Sequence, residues 1–256
     1  MVASIKTLAG VALAALLAGA ASAQSASTPS AAQLADSRLP VSTLVREDIF
    51  DGFMGGDLTS MARGEANLDK LYATRPDARG ETRAWQAGAL LYRAVLAREA
   101  GKAADYAALY AHALADLDEA DKYAVTSPAV IAVGGGIGVL FADRVAPADR
   151  TVLWNRTYGY YQALTAAQAP VVDKLPLHIR GEGLAGLVVA AQRSGHAAEA
   201  DAAIDHMLPL VKGTPYEADA LKWKADPAGR ATMNLACKSC HDDGRLAPTV
   251  SRLPSA

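Results

Sequence analysis

The chain has 256 residues, of which 51% are hydrophobic, and its 27 acidic and 25 basic side chains give a formal net charge of −2. This length is enough for one large domain or two small ones. The weakly acidic balance argues against nucleic acid or an anionic membrane surface as the partner.

The first predicted element is a secretory signal peptide over residues 1–23. One cationic residue, Lys6, precedes an apolar run from Leu8 to Ala21, and the small residues Ala21-Ser22-Ala23 form a cleavage site before Gln24. The apolar run is too short to cross a membrane. We therefore expect a periplasmic or secreted mature chain, cut after Ala23, without a membrane span.

Residues 24–40 are rich in serine and alanine and contain no aromatic side chain, which predicts a flexible tether. From Val41 the apolar residues recur at three- and four-residue spacing, which is typical of amphipathic helices. Glycine and proline residues interrupt this pattern at intervals, and no segment alternates convincingly at period two. The sequence therefore predicts an all-α fold over residues 41–225.

The predicted helices form four antiparallel hairpins and a last single helix. The hairpin turns are marked by Gly55-Gly56, by Gly101, by Pro147 and by Gly195. The paired arms are residues 41–55 and 57–72, 85–96 and 106–117, 130–141 and 152–164, and 176–195 and 197–211, and the last helix passes through Leu221 and Trp223.

Two glycine-rich stretches and the aromatic residues are interpreted as packing features. Gly181-Glu182-Gly183-Leu184-Ala185-Gly186 fits the GxGxxG fingerprint of dinucleotide sites, but no strand precedes it, so close helix packing is the better reading. The same reading applies to Gly134-Gly135-Gly136 and Gly138. Aromatic residues at helical spacing are expected in the core; they are Trp85, Tyr92, Tyr106, Tyr110, Trp154, Tyr158 and Tyr161.

No enzyme signature is visible in the sequence. A hydrolase triad would need a nucleophile elbow such as GxSxG, which is absent. The carboxylates Asp116, Asp118 and Glu119 belong to a charged helical run that is typical of a solvated face. We therefore expect an electron carrier or a binding protein and no catalytic residue.

The chemistry of the chain is concentrated near its end, in Cys237-Lys238-Ser239-Cys240-His241. These are the only two cysteines, and CxxCH is the attachment pattern of one covalent haem c. The two thiols can each add to a porphyrin vinyl group, and the adjacent imidazole of His241 then ligates the iron from the proximal side. The sequence thus predicts a haem-binding segment over residues 226–256, with His241 as the iron ligand.

A CxxC pair has two other common uses in proteins. A thiol-disulfide couple usually begins a helix within a βαβ pattern, and a zinc site needs two further ligands. Neither setting is visible around Cys237 and Cys240, and neither explains the histidine at 241. A haem-free dithiol protein is therefore the least favoured hypothesis.

A distal iron ligand, if one exists, must come from upstream, because no methionine follows His241. Met233 precedes Cys237 by one helical turn and is expected to serve in packing. Each upstream candidate is individually expected to be a core or surface residue, and an open iron site is an equal alternative. The candidates are His178, His206, Met207, Met54 and Met61.

Two segments resemble the turn and second helix of a tetratricopeptide repeat, with a glycine at the turn and small or aromatic residues along the return helix. They are Gly101 to Tyr106 with Tyr110, Ala113 and Leu114, and Gly195 to Ala198 with Ala200 and Ile204. Leu177 to Glu182, Gly195 and Gly213 to Tyr216 resemble a family of bacterial tetratricopeptide-like proteins whose function is mostly unassigned. The resemblance implies a superhelix of stacked hairpins with a concave face that commonly binds a partner.

The segment from Cys237 to Arg245 resembles the end of class II cytochromes, the cytochrome c′ group. Lys238, Asp242 and Asp243 match that pattern, and the resemblance places Arg245 near the haem edge. Gly244 departs from it, since it replaces the usual aromatic residue and weakens the helix there.

The sequence leads to two principal functional hypotheses. The first is a periplasmic or secreted monohaem c-type cytochrome that passes one electron to a redox protein docked on the helical array. The second is a helical-repeat scaffold or sensor that binds a protein partner, with a haem that is structural or binds a diatomic gas. Axial ligation and the polarity around the iron distinguish the two.

Overall fold

A computed structural model describes residues 28–125 and 127–236. Within these residues the chain is all-helical, and no strand is present. The ten α-helices of the described chain are α1 (Ala31–Ala35), α2 (Val41–Gly55), α3 (Leu58–Thr74), α4 (Arg79–Glu99), α5 (Ala103–Asp121), α6 (Pro128–Phe141), α7 (Pro147–Gln168), α8 (Leu177–Arg193), α9 (Ala197–Leu210) and α10 (Pro215–Ala225). The predicted all-α class is confirmed.

The helix ends follow the glycine and capping signals in the sequence. Gly56 ends α2 with a positive φ of 68°, and Gly101 and Gly195 adopt the same left-handed conformation, with φ values of 72° and 87°. Asp57 caps α3, since its carboxylate accepts hydrogen bonds from the backbone N–H groups of Thr59 at 2.9 Å and Ser60 at 3.1 Å. These local rules fix where the chain turns.

Consecutive helices pack side by side as hairpins in the described chain. The closest pairs are α2 with α3, α4 with α5, α6 with α7 and α8 with α9. Neighbouring hairpins meet where α4 packs on α3 and α6, and where α7 packs on α8, while α10 lies against α9. Each hairpin therefore depends mainly on its neighbours along the chain.

Both glycine-rich stretches allow close approach of helices, as the sequence predicts. A Cβ atom on Gly134 would lie 2.6 Å from Cε2 of Tyr160, so α6 and α7 are in contact through the glycine backbone. A Cβ atom on Gly181 would lie 2.7 Å from the ring of Tyr216, which brings α8 and α10 together. Neither stretch begins after a strand in the described chain.

The aromatic residues predicted in the core are buried there. At the centre, the Phe53 ring meets the rings of Phe141 at 4.9 Å and Tyr92 at 5.4 Å between centroids. These three rings come from α2, α4 and α6, so one aromatic cluster joins the first three hairpins.

The structure differs from the predicted tether after its first residues. Ser30 begins α1 with a capping box that includes Gln33, and Leu34 is buried. The Arg75 side chain then donates hydrogen bonds to the carbonyl oxygens of Asp36 and Leu39, at 3.2 and 2.8 Å. Because a single buried leucine and one arginine hold this segment, its serine- and alanine-rich composition gave little sign of order.

The sequence predicts that Asp116 lies on a solvated acidic face, and the structure differs from this prediction. The Asp116 side chain is buried and pairs with the Arg83 guanidinium at 3.3 Å. Burial raises the pKa of this carboxyl, and the charge of Arg83 opposes that rise. The pair serves packing between α4 and α5.

None of the helices within residues 28–125 and 127–236 combines the length and the apolar character needed to span a membrane. The predicted signal peptide, residues 1–23, lies outside the described residues.

Candidate functional site

The predicted haem-binding residues Cys237, Cys240, His241 and Arg245 lie outside the described residues. The described chain ends at Ala236, directly before the first cysteine. The last eleven described residues, 226–236, directly precede the CxxCH motif in sequence, and the structure gives their contacts.

The linker from Asp226 to Ala236 is held by local hydrogen bonds and contains no α-helix. The carboxylate of Asp226 accepts from the Gly229 N–H at 2.9 Å, and a short 3₁₀ turn covers Gly229–Ala231. The N–H groups of Thr232 and Met233 then donate to the Gly229 carbonyl at 3.1 and 3.0 Å. The described linker is thus a compact turn.

Arg230 fixes this turn to the last two helices. Its Nε donates to the carbonyl oxygen of Trp223 at 3.0 Å, and Nη1 donates to Oδ1 of Asp201 at 2.7 Å. Trp223 is fully buried on α10, and Asp201 belongs to α9. One side chain of the linker therefore bridges two helices of the array.

Arg193, the last residue of α8, holds the same linker from the other side. Its Nη1 donates to the Arg230 carbonyl at 2.5 Å and its Nη2 donates to the Met233 carbonyl at 3.4 Å. Its Nε lies 3.3 Å from Oδ2 of Asp143, which follows α6. The Arg193 side chain is only 8% exposed, so these contacts replace most of its hydration.

Trp154 on α7 orients the carboxylate that faces Arg193. The indole Nε1 donates to Oδ1 of Asp143 at 2.8 Å, while the other oxygen faces the guanidinium. The guanidinium carbon of Arg193 lies 5.9 Å from the Trp154 ring centroid. Residues from α7, from α8 and from the turn between α6 and α7 thus form one hydrogen-bonded network that ends on the linker backbone.

The linker enters the hydrophobic core at its end. Leu235 is 1% exposed and Ala236 is 4% exposed, and both belong to the main core cluster. Met233 is half-buried against the same cluster, which agrees with the packing role predicted for it. The chain therefore reaches Cys237 from the apolar interior of the array.

The structure separates the five candidate distal ligands into two groups. Met54, Met61 and Met207 are buried side chains of the hydrophobic core. His178 and His206 are exposed, on α8 and α9. Within residues 28–125 and 127–236, no group of three or more histidine, cysteine or acidic side chains is arranged to hold a metal ion.

Sequence reasoning missed Arg193, Asp143, Trp154 and Arg230 as a connected set. An arginine in the last turn of a helix is ordinary, since cations are favoured there by the helix dipole. The carbonyl groups that Arg193 meets lie about 40 residues further along the chain, and no motif encodes such a contact.

Comparisons with known proteins add no further assignment. No protein-family model matches the chain, no curated protein is significantly similar to it, and no solved structure matches it.

Proposed function

We propose that this protein is a periplasmic or secreted monohaem c-type cytochrome that transfers one electron through a haem at its C-terminal end. The observation that carries the proposal is the motif Cys237-Lys238-Ser239-Cys240-His241, which contains the only cysteines of the chain. The haem supplies the one-electron ferrous/ferric couple when bound. The two cysteines hold it covalently, and His241 donates the proximal nitrogen.

The described residues next to the motif suit such a group. A porphyrin is a large, mostly apolar ring that is stabilised by an apolar surface. Leu235 and Ala236 lead into Cys237 from the core, and Met233 lies beside them. These contacts support a haem that starts against the helical array, with Arg245 at its edge as the class II resemblance implies.

The hairpin packing supports a tetratricopeptide-like superhelix as the partner-docking domain. In the described chain, each hairpin meets its sequence neighbours, as in stacked helical repeats. We propose that this array binds a redox protein, which gives an electron to the ferric iron or accepts one from the ferrous iron. The partner is expected to be neither nucleic acid nor membrane.

The localisation follows from the predicted signal peptide. Residues 1–23 would direct export, and cleavage after Ala23 would release the mature chain. Covalent haem attachment in bacteria takes place on the outer side of the inner membrane, so export and haem attachment support each other.

The second candidate is a scaffold or sensor whose haem binds a diatomic gas. The burial of Met54, Met61 and Met207 favours it, because each of these side chains already packs among core residues in the described chain. The exposed candidates His178 and His206 remain as sources of a sixth ligand.

The test is the visible spectrum of full-length protein exported together with cytochrome c maturation machinery. Spectra are recorded oxidised, reduced, and reduced with carbon monoxide, and the matched control is the Cys237→Ala/Cys240→Ala variant. Sharp reduced bands that carbon monoxide does not change mean a six-coordinate electron carrier. A carbon monoxide shift means an open iron and supports the sensor.

Absence of covalent haem from correctly exported wild-type protein would overturn both haem hypotheses. In that case a thiol titration is informative, because the haem-free dithiol hypothesis predicts two reactive thiols in the reduced chain and none in the double variant.

A further inference from the structure

We infer that Arg193 is a positioning residue that clamps the haem-bearing segment to the helical array. Its role toward the haem rests on the proposed function, whereas its hold on residues 226–236 follows from the described contacts. The inference concerns the orientation of the C-terminal segment and the environment of the iron.

The donor geometry of Arg193 is suited to a clamp. A guanidinium presents its N–H groups in a rigid plane, so it can bind separate acceptors without changing shape. Here one edge meets two carbonyl oxygens of the linker, those of Arg230 and Met233, at 2.5 and 3.4 Å. The Nε group faces Asp143 at 3.3 Å. The side chain thereby connects the linker to a charged partner on another hairpin.

The position of Asp143 is itself fixed by the array. Its second oxygen accepts from the indole of Trp154, a buried residue of α7. A buried guanidinium without its carboxylate would be costly, because a desolvated charge needs a partner. The pair therefore stabilises Arg193 in the orientation that reaches the linker.

Arg75 makes an equivalent clamp at the other end of the described chain. Its buried guanidinium donates to the carbonyl oxygens of Asp36, Ser37 and Leu39, at 3.2, 3.3 and 2.8 Å, and pairs with Asp77 at 2.9 Å. Both arginines thus hold a segment near one limit of the described residues by its backbone. Arg75 is the natural matched control, because its loss releases only residues near α1.

The clamp has a consequence for the proposed haem. Cys237 follows Ala236 directly, and consecutive Cα atoms are about 3.8 Å apart. A linker held at Met233 and buried at Leu235 limits how far the attached ring can move from the array. By holding the linker, Arg193 would then act indirectly on the solvent access of the proposed haem, which is one of the factors that set its reduction potential.

The first arm of the test is hydrogen exchange of the full-length Cys237→Ala/Cys240→Ala protein, which carries no haem. Adding Arg193→Gln is expected to speed exchange of residues 226–236 about tenfold, as expected for loss of hydrogen bonds from a charged donor. Arg193→Lys should restore part of the protection, and Arg75→Gln should change only residues 31–39. Unchanged exchange of residues 226–236 in Arg193→Gln would overturn the clamp.

The second arm uses the haem-loaded protein with its cysteines intact. Arg193→Gln is expected to shift the reduction potential and reduce the Soret circular dichroism, while Arg75→Gln leaves both at wild-type values. Faster linker exchange with an unchanged potential and Soret signal would overturn the positioning role. Wild-type protein without haem would overturn the proposed function, and the first arm would still test the clamp.

Discussion

The hydroxyl group of Tyr160 on α7 donates a 2.5 Å hydrogen bond to Oδ1 of Asp121 at the end of α5. The same chemistry joins the second helices of other neighbouring hairpins. Tyr72 of α3 donates to Glu119 of α5, and Tyr158 of α7 donates to Glu199 of α9. A series of tyrosine–carboxylate bonds therefore connects α3, α5, α7 and α9 along one side of the array.

Tyr160→Phe is expected to lower the free energy of unfolding by about 1–3 kcal/mol, as for a hydrogen bond to a charged acceptor. Asp121 would still lie 3.3 Å from Nη2 of Arg156, which limits the loss. Urea denaturation measures the change, and Tyr92→Phe is the control, since no carboxylate accepts from its hydroxyl in the described chain. Equal stability of Tyr160→Phe and wild type would contradict the prediction.

Stability should fall in alkaline solution between about pH 10 and pH 12. Burial, with a contribution from Glu199, raises the pKa of Tyr158 to about 12, and burial likewise raises that of Tyr110 to about 12. Unfolded tyrosine ionises near pH 10 while the folded side chain stays neutral, so ionisation favours the unfolded chain over this window. Denaturation at successive pH values checks this. In Tyr158→Phe the free energy of unfolding should fall less steeply with pH than in the wild type. An identical pH dependence in the two proteins would contradict a contribution from Tyr158.

Gly138→Ala should destabilise the fold by roughly 1–3 kcal/mol, because the new methyl group overlaps the buried Thr157 side chain. Gly136→Ala is the matched control on the same helix. A Cβ atom at Gly136 has no other atom within 4 Å. The better helix propensity of alanine should therefore raise the free energy of unfolding by about 0.5–1 kcal/mol. Thermal unfolding measures the change in stability of both variants. Gly138→Ala should lower the melting temperature and Gly136→Ala should raise it, and changes of the same sign would contradict the prediction.

Leu235→Ala should lower the free energy of unfolding by about 2–5 kcal/mol, as other large-to-small changes in a packed core do. The side chain is fully buried although it lies almost at the end of the described residues. Leu221, which is 52% exposed on α10, provides the comparison, and Leu221→Ala should change stability by less than about 0.5 kcal/mol. Similar small effects at both positions would show that the linker is not seated in the core.

Loss of the cysteines should leave the helical array folded. The buried side chains of the main core cluster come mostly from the ten helices, which pack against one another across the described residues. The Cys237→Ala/Cys240→Ala variant is therefore expected to keep its far-ultraviolet circular dichroism and to melt within about 5 °C of the haem-free wild type. A large loss of helix would mean that the thiols support the fold directly.

The sequence predicted most of the helical order because the relevant signals are local. Glycines at positive φ, such as Gly101 and Gly195, and prolines at first turns, such as Pro128 and Pro147, mark the boundaries of the hairpins. Some helices begin earlier than the apolar pattern indicates, since α4 begins six residues before Trp85 and α7 begins five residues before Val152. The first turns of these helices contain no large apolar side chain, so hydrophobic periodicity does not reveal them.

The contacts that surround the candidate site could not be read from the sequence. Arg193 meets Asp143 and the linker through long-range contacts, and Arg75 meets residues 36–39 in the same way. A guanidinium that binds backbone carbonyl groups cannot be predicted from the residue types it contacts, because every residue has the same carbonyl acceptor. The CxxCH motif is the reverse case, since the haem attachment that we propose for it is inferred from residue type and spacing alone.

The two arginine clamps also bear on how the array opens. A hairpin in the middle of such an array has neighbours on both sides, whereas a terminal hairpin has one, so fraying starts at the ends. Arg75 binds the backbone of residues 36–39 beside the first hairpin, and Arg193 binds the linker beside the fourth hairpin. Each clamp should therefore resist fraying of the outer hairpin that carries it, so that the described array unfolds more cooperatively than it would without the two arginines.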